Sequence, residues 1–126
     1  MSIGKDLVAA SATPLVLAIV AREPCHGYAI LGKVRELSDG ALQWTDGMLY
    51  PVLHRLEREG FIKGEWERSD EGRRRKAYRI TQAGKAQLAD QRSQWEAVDQ
   101  TLRTVWAGLQ LSPARFQISQ ARLGTE

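Results

Sequence analysis

The chain of 126 residues has one cysteine, two histidines and four prolines, and aromatic residues make up 7% of it. A single cysteine, Cys25, excludes an intramolecular disulfide and fits a reducing compartment. Cys25 sits beside His26, but one Cys and one neighbouring His are too few for a structural zinc site. The plainer role for Cys25 is a small, partly buried residue at the start of a helix. No glycine-rich phosphate loop and no nucleophile–base–orienter set occur, so the sequence offers an enzyme little to work with. No cofactor is expected. Long apolar runs are also missing. The longest extends from Pro14 to Ala21, well short of the roughly 20 residues that span a bilayer. The start, Met1-Ser2-Ile3-Gly4-Lys5-Asp6, lacks the basic and apolar regions of a signal peptide. The expectation is a cytoplasmic protein with no membrane partner. Repeats and low-complexity segments are absent.

What is present is an ordinary globular balance, 43% hydrophobic and 26% charged, with a formal net charge of +3. So mild an excess permits a nucleic-acid partner without requiring one, and the placement of charge matters more than its sum.

Periodicity predicts three helices, a hairpin and a long helix. Residues 6–22 carry a wide apolar face, with Leu7, Val8, Leu15, Val16, Leu17, Ile19 and Val20. Pro14 is expected to interrupt or restart this helix, with Thr13 as a cap. A second helix is predicted from about His26 to Leu37 and stopped by Ser38-Asp39-Gly40. A third starts near Thr45-Asp46 and runs to Glu59, with Gly60 closing it. The period then changes. Residues 61–68 and 75–80 read as two strands joined at Ser69-Asp70-Glu71-Gly72, forming a β-hairpin. Thr81 is placed to cap a helix reaching about Leu109. Ser112-Pro113 suggests a further cap and first turn, and the tail from Gly124 is expected to fray.

The third helix has two faces. Leu49, Val52, Leu53 and Leu56 fall on one, predicting a core side. Gly47, Pro51, His54 and Arg58 fall on the other, flanked by Tyr50 and Arg55. The outer face carries donors, a flat aromatic and small residues, with no carboxylate at its centre. A major groove accepts one helix of this width, and its base edges and phosphates accept hydrogen bonds. The free amides near Thr45 form a weakly positive helix end suited to a phosphate. Any one of these residues equally fits an ordinary solvated helix. Pro51 forfeits a helical hydrogen bond to Gly47, so the helix is expected to start late or bend.

Four consecutive cations follow at the hairpin turn, Arg73-Arg74-Arg75-Lys76. Such a tip can lie along the DNA backbone or minor groove, where phosphate contacts supply affinity and register. The alternative is a solvated charged strand, but four adjacent like charges repel unless an anion is near. Residues 45–80 hold nine Lys/Arg against seven Asp/Glu, so the reading rests on pattern rather than bulk charge.

These residues resemble the PadR-like transcriptional regulators. Cys25-His26-Gly27-Tyr28-Ala29-Ile30 is similar to that family's His-Gly-Tyr start of the second helix. Gly47-Met48-Leu49-Tyr50-Pro51-Val52-Leu53-His54-Arg55-Leu56-Glu57 resembles its recognition helix. Gly60-Phe61-Ile62, then Arg74-Arg75-Lys76-Ala77-Tyr78-Arg79-Ile80-Thr81 and Gly84, resemble its wing and the start of its last helix. The match covers roughly residues 12–110. Met48 stands where Thr is frequent and Asp46 where Pro or Ser is common.

The resemblance implies an α+β winged helix, mainly α. It has a three-helix helix-turn-helix core, a two-stranded β-wing and a long C-terminal dimerisation helix. It also implies a repressor binding double-stranded operator DNA. Pro51 becomes a family feature, and Tyr50 matches a position that approaches DNA. The expected DNA-binding residues are Tyr28, Thr45, Gly47, Met48, Tyr50, Pro51, His54, Arg55, Arg58, Arg73, Arg74, Arg75 and Lys76. The expected divisions are a DNA-binding domain at 6–80, a dimerisation helix at 81–111 and a short terminal helix or tail at 112–126.

Within the last helix, Leu88, Gln91, Trp95, Val98, Leu102, Val105 and Leu109 are spaced three and four apart, a heptad seam. The seam can pack on its own domain, but a helix of this length outreaches so small a body. A homodimer is the expectation, and its operator an inverted repeat. Trp95 on the seam reads most simply as dimer-core packing. By the resemblance it is also a candidate site for a planar aromatic effector. The competing reading of the whole is a winged helix used only for protein–protein contact.

Overall fold

A computed structural model describes residues 2–109. Helix α1 (Lys5–Arg22) is followed by a short strand β1 (Cys25–His26) and helices α2 (Gly27–Leu37) and α3 (Asp46–Arg58). Strands β2 (Ile62–Arg68) and β3 (Arg74–Ile80) form the hairpin, and α4 (Gln82–Gly108) closes the described chain. The chain divides into two compact units, with the boundary inside α4 between Gln91 and Arg92. The sequence expectations at Ser112-Pro113, at Gly124 and over 112–126 lie outside the described residues.

Proline strains both α1 and α3, and burial overrides it in each. α1 is continuous through Pro14, so the expected interruption with a Thr13 cap is absent. A proline inside a helix costs about 3 kcal/mol. In α1 that cost is opposed by Val16, Leu17, Ile19 and Val20, all buried immediately beyond it. In α3, Leu49, Leu53 and Leu56 are fully buried, worth roughly 1.5–3 kcal/mol each. α3 therefore starts at Asp46 and runs through Pro51 to Arg58. Thr45 caps it, its Oγ1 accepting from the Met48 amide at 3.3 Å.

The core draws on α1, α2 and α3, on Trp44 before α3, and on Ile62 and Tyr78 from the hairpin. The wing is a three-stranded antiparallel sheet in the order β1-β3-β2. β1 was not anticipated: Cys25 pairs with Tyr78 and His26 with Ala77. This pairing ties the start of α2 to the wing. Cys25 is buried and its Sγ donates to the Glu23 carbonyl at 3.4 Å. Burial first, and Glu23 second, push its thiol above the ordinary value.

The start of α4 is locked onto the hairpin. The Thr81 hydroxyl donates to the Gly60 carbonyl at 2.6 Å and accepts from the Gly84 amide at 3.0 Å, and the Thr81 amide donates to the Phe61 carbonyl. Leu88, one turn further on, packs against the core.

Candidate nucleic-acid interface

The outer face of α3 is open, as the helical wheel predicts. Gly47, Tyr50, Pro51, His54 and Arg58 are exposed. The Tyr50 and His54 rings lie 6.3 Å apart, one turn from each other on that face. Met48 is half-buried and packs against the core. Arg55 is also half-buried. Its Nη2 donates to Thr13 Oγ1 at 2.7 Å, and its Nη1 lies 3.7 Å from Glu59. Arg55 thus fastens α3 to α1.

Tyr50 leans over the first turn of α2. A Cβ at Gly27 would lie 2.7 Å from the Tyr50 hydroxyl, so glycine is what lets the ring settle there. Tyr28, on the same turn of α2, is 85% exposed. An aromatic this bare, beside a helix start whose amides have no side-chain cap, presents a polar tip and a flat face outward.

The hairpin tip is shaped by Ser69, whose Oγ accepts from the Arg73 amide at 3.2 Å. The four cations behind it do not act alike. Alternation along β3 separates them, and acidic neighbours neutralise two. Arg75 lies 3.6 Å from Glu67, whose Oε1 also contacts His26 Nε2 at 2.6 Å. The Lys76 ammonium donates to Glu57 on α3 at 2.9 Å. Arg74 instead stacks over the exposed Trp66 ring at 5.1 Å. Among the described residues, no ion pair involves Arg73 or Arg74. The repulsion expected of the cationic run is thereby relieved without an outside anion, and the unneutralised charge concentrates at the tip.

Together α2, α3 and the wing enclose an open cleft of about 530 Å³. Its lining includes Tyr28, Tyr50, His54, Trp66, Arg74 and Lys76. Its walls are aromatic and its rim cationic. Trp66, Glu57 and Gly64 are not among the DNA-binding residues expected from the sequence. Trp66 stands opposite Lys76 in the hairpin register, and that pairing is the signal by which it could have been found.

The residues of the predicted seam fall into two groups. Leu88 serves the core of the first unit, and Gln91 and Trp95 are half-buried. Val98, Leu102, Val105 and Leu109 are exposed, and so is Trp106. On the same stretch Arg92–Glu96 and Asp99–Arg103 form ion pairs one turn apart, at 2.7 and 2.9 Å. Among the described residues no cluster of side chains could hold a metal ion, and no helix is long and apolar enough to cross a membrane.

Residues 16–90 match the transcriptional regulator PadR-like family. The transcriptional regulator Rv3488 of Mycobacterium tuberculosis is 40% identical over 74 residues, which is 59% of this chain and 65% of that protein. A PadR-like transcriptional regulator from Bacillus cereus superposes with a TM-score of 0.70 at 27% identity, over 80% of this chain and 96% of that one. A PadR family regulator from Eggerthella lenta gives 0.67 at 30% identity, over 79% of this chain and 85% of that one. The resemblance in the recognition helix and wing thus extends to the fold, and the chain belongs to the PadR-like family of transcriptional regulators.

Proposed function

We propose that this regulator binds operator DNA as a homodimer, inserting α3 into the major groove while the wing tip grips the adjacent backbone. One observation carries the reading: the donor-bearing outer face of α3, with no carboxylate at its centre, shares a cleft with a cation-tipped wing. Tyr50, His54 and Arg58 reach base edges or phosphates, and Gly47 and Pro51 keep the face low enough to enter the groove. Thr45 and Met48 set the start of the helix. Tyr28 meets a phosphate from α2, and Arg73 and Arg74 follow the backbone. Phosphate contacts of this kind dominate affinity, and base-edge contacts supply preference.

The exposed stripe Val98–Leu102–Val105–Leu109 is the proposed seam between two copies. It would set the two recognition helices about one turn of DNA apart, roughly 34 Å. The regulator acts as a repressor in the cytoplasm, with no catalytic role. Trp95, half-buried next to that stripe, is where a planar aromatic effector would stack. Titrating planar dyes against Trp fluorescence, with Trp95→Ala as control, tests this: an identical response in the variant removes it.

Gel-shift binding to promoter DNA in rising salt tests the main proposal. Steep salt dependence together with sequence preference is the expected result. Equal binding to all DNA, or none at low salt, would leave a protein–protein module as the better reading.

A further inference from the structure

We infer that Glu57, Gly64 and Lys76 form a tie that fixes the wing against the recognition helix. In this arrangement Lys76 positions the wing and is not a phosphate contact. The inference rests on the DNA-binding reading and sharpens it.

The geometry begins with Glu57 on α3. Its Oε1 accepts from the Lys76 ammonium on β3 at 2.9 Å, and its Oε2 accepts from the Gly64 amide on β2 at 3.2 Å. One carboxylate therefore joins the recognition helix to both strands of the hairpin. β2 is an edge strand, and Glu57 occupies an amide of that edge. Gly64 makes the connection possible. A Cβ there would lie 2.1 Å from Lys76 Cε and 3.0 Å from Glu57 Oε2. The lysine stem passes through space that any other residue would fill. Both ends of the pair are partly shielded, with Lys76 at 24% and Glu57 at 30% side-chain exposure. Each also stabilises the charge of the other: the hydrogen bond from Lys76 lowers the Glu57 carboxyl, and the same bond raises the Lys76 ammonium. By contrast Arg73 and Arg74, further along the tip, have no carboxylate partner among the described residues. The wing therefore separates into a tied base and a free tip, and the tie sets how far the tip stands from α3.

The two roles predict opposite signs. If electrostatics alone governed, Glu57→Gln would remove a negative charge beside DNA and tighten binding. As a tie, the same variant loosens the wing. Its preference for operator over random DNA should fall about tenfold, the worth of one charge-assisted hydrogen bond. Lys76→Gln should lose preference similarly while leaving the salt slope unchanged, whereas removing a phosphate-neutralising cation lowers that slope by about 0.9. Gly64→Ala keeps every charge and crowds the lysine stem and the Glu57 carboxylate, so it should reproduce Lys76→Gln.

The experiment measures operator and random-DNA affinity against salt for the full chain and these three variants. Hydrogen exchange at the residue 64 amide is measured on free wild-type and Glu57→Gln protein. Faster exchange in Glu57→Gln, lost preference in all three variants and an unchanged slope in Lys76→Gln support the tie. A slope reduced by about 0.9 in Lys76→Gln, tighter operator binding by Glu57→Gln, wild-type preference in Gly64→Ala, or unaltered exchange each overturn it. Wild-type protein that binds no DNA overturns the DNA-binding reading itself, a result separable from these because the exchange arm contains no DNA.

Discussion

Helices α3 and α4 carry apolar residues at the same helical spacing and meet opposite fates. In α3 the stripe Leu49, Leu53 and Leu56 is entirely covered by its own chain. Along the second half of α4 and the residue that follows it, the stripe Val98, Leu102, Val105 and Leu109 stays 42–57% exposed. Periodicity states that a face wants cover and not what provides it. A stripe that finds cover within its chain builds the monomer. A stripe without it, lying beside i,i+4 ion pairs, is the face proposed above as the seam between two copies.

Substitution on the two stripes should separate them. The largest effect belongs to α3. Leu53→Ala should destabilise the fold by about 2–5 kcal/mol, read by chemical denaturation, because a filled core position becomes a cavity. Leu102→Asp on α4 should leave the denaturation midpoint of the monomer nearly unchanged and yield monomers in sedimentation. Operator affinity should then fall roughly 10²-fold or more, since the two half-sites are no longer linked. Similar loss of stability in both variants would erase the distinction.

A smaller effect is expected at the wing tip. Replacing Arg73 and Arg74 with Gln should weaken binding to all DNA alike and reduce the salt slope by about 0.9 for each phosphate left unneutralised. Tyr50→Ala should in addition erode sequence preference, and a Tyr50→Ala protein with wild-type preference would remove that residue from base reading.

The smallest effect is in pH. The Glu57 carboxyl is lowered, so its contribution is present above the ordinary glutamate value and is lost as pH falls through the lowered one. The Lys76 ammonium is raised, so its contribution is present below the ordinary lysine value and is lost as pH rises through the raised one. The wing anchorage should therefore hold from below about pH 4.3 to above about pH 10.4. Loss of hydrogen-exchange protection at the Gly64 amide just below pH 4.3, or exchange that ignores acid altogether, would contradict the assignment.

Much of the fold was legible because it rests on local chemistry. The start of α3 near Thr45, the period of α3, the Ser69–Gly72 turn and the Thr81 cap each announce themselves within a few residues. β1 did not, since two residues carry no alternation; its strand character comes wholly from pairing with Tyr78 and Ala77. Pro14 misled for a related reason: a breaker signal is local, whereas the burial that overrides it is tertiary. The outer face of α3 was legible from the wheel, and the wing cations from their run. Their division into free and neutralised charges was not. It depends on Glu57 and Glu67, which reach them only through the fold, and Gly64 gives no sign in sequence that a lysine stem must cross it.

Selection of bound sequences from random DNA by the full chain tests the central claim most directly. The expected result is enrichment of an inverted repeat whose half-site centres lie about one helical turn, roughly 10 base pairs, apart. No enrichment, or a single unrepeated site bound equally well by wild-type and Leu102→Asp protein, would contradict a dimer that reads DNA through paired α3 helices.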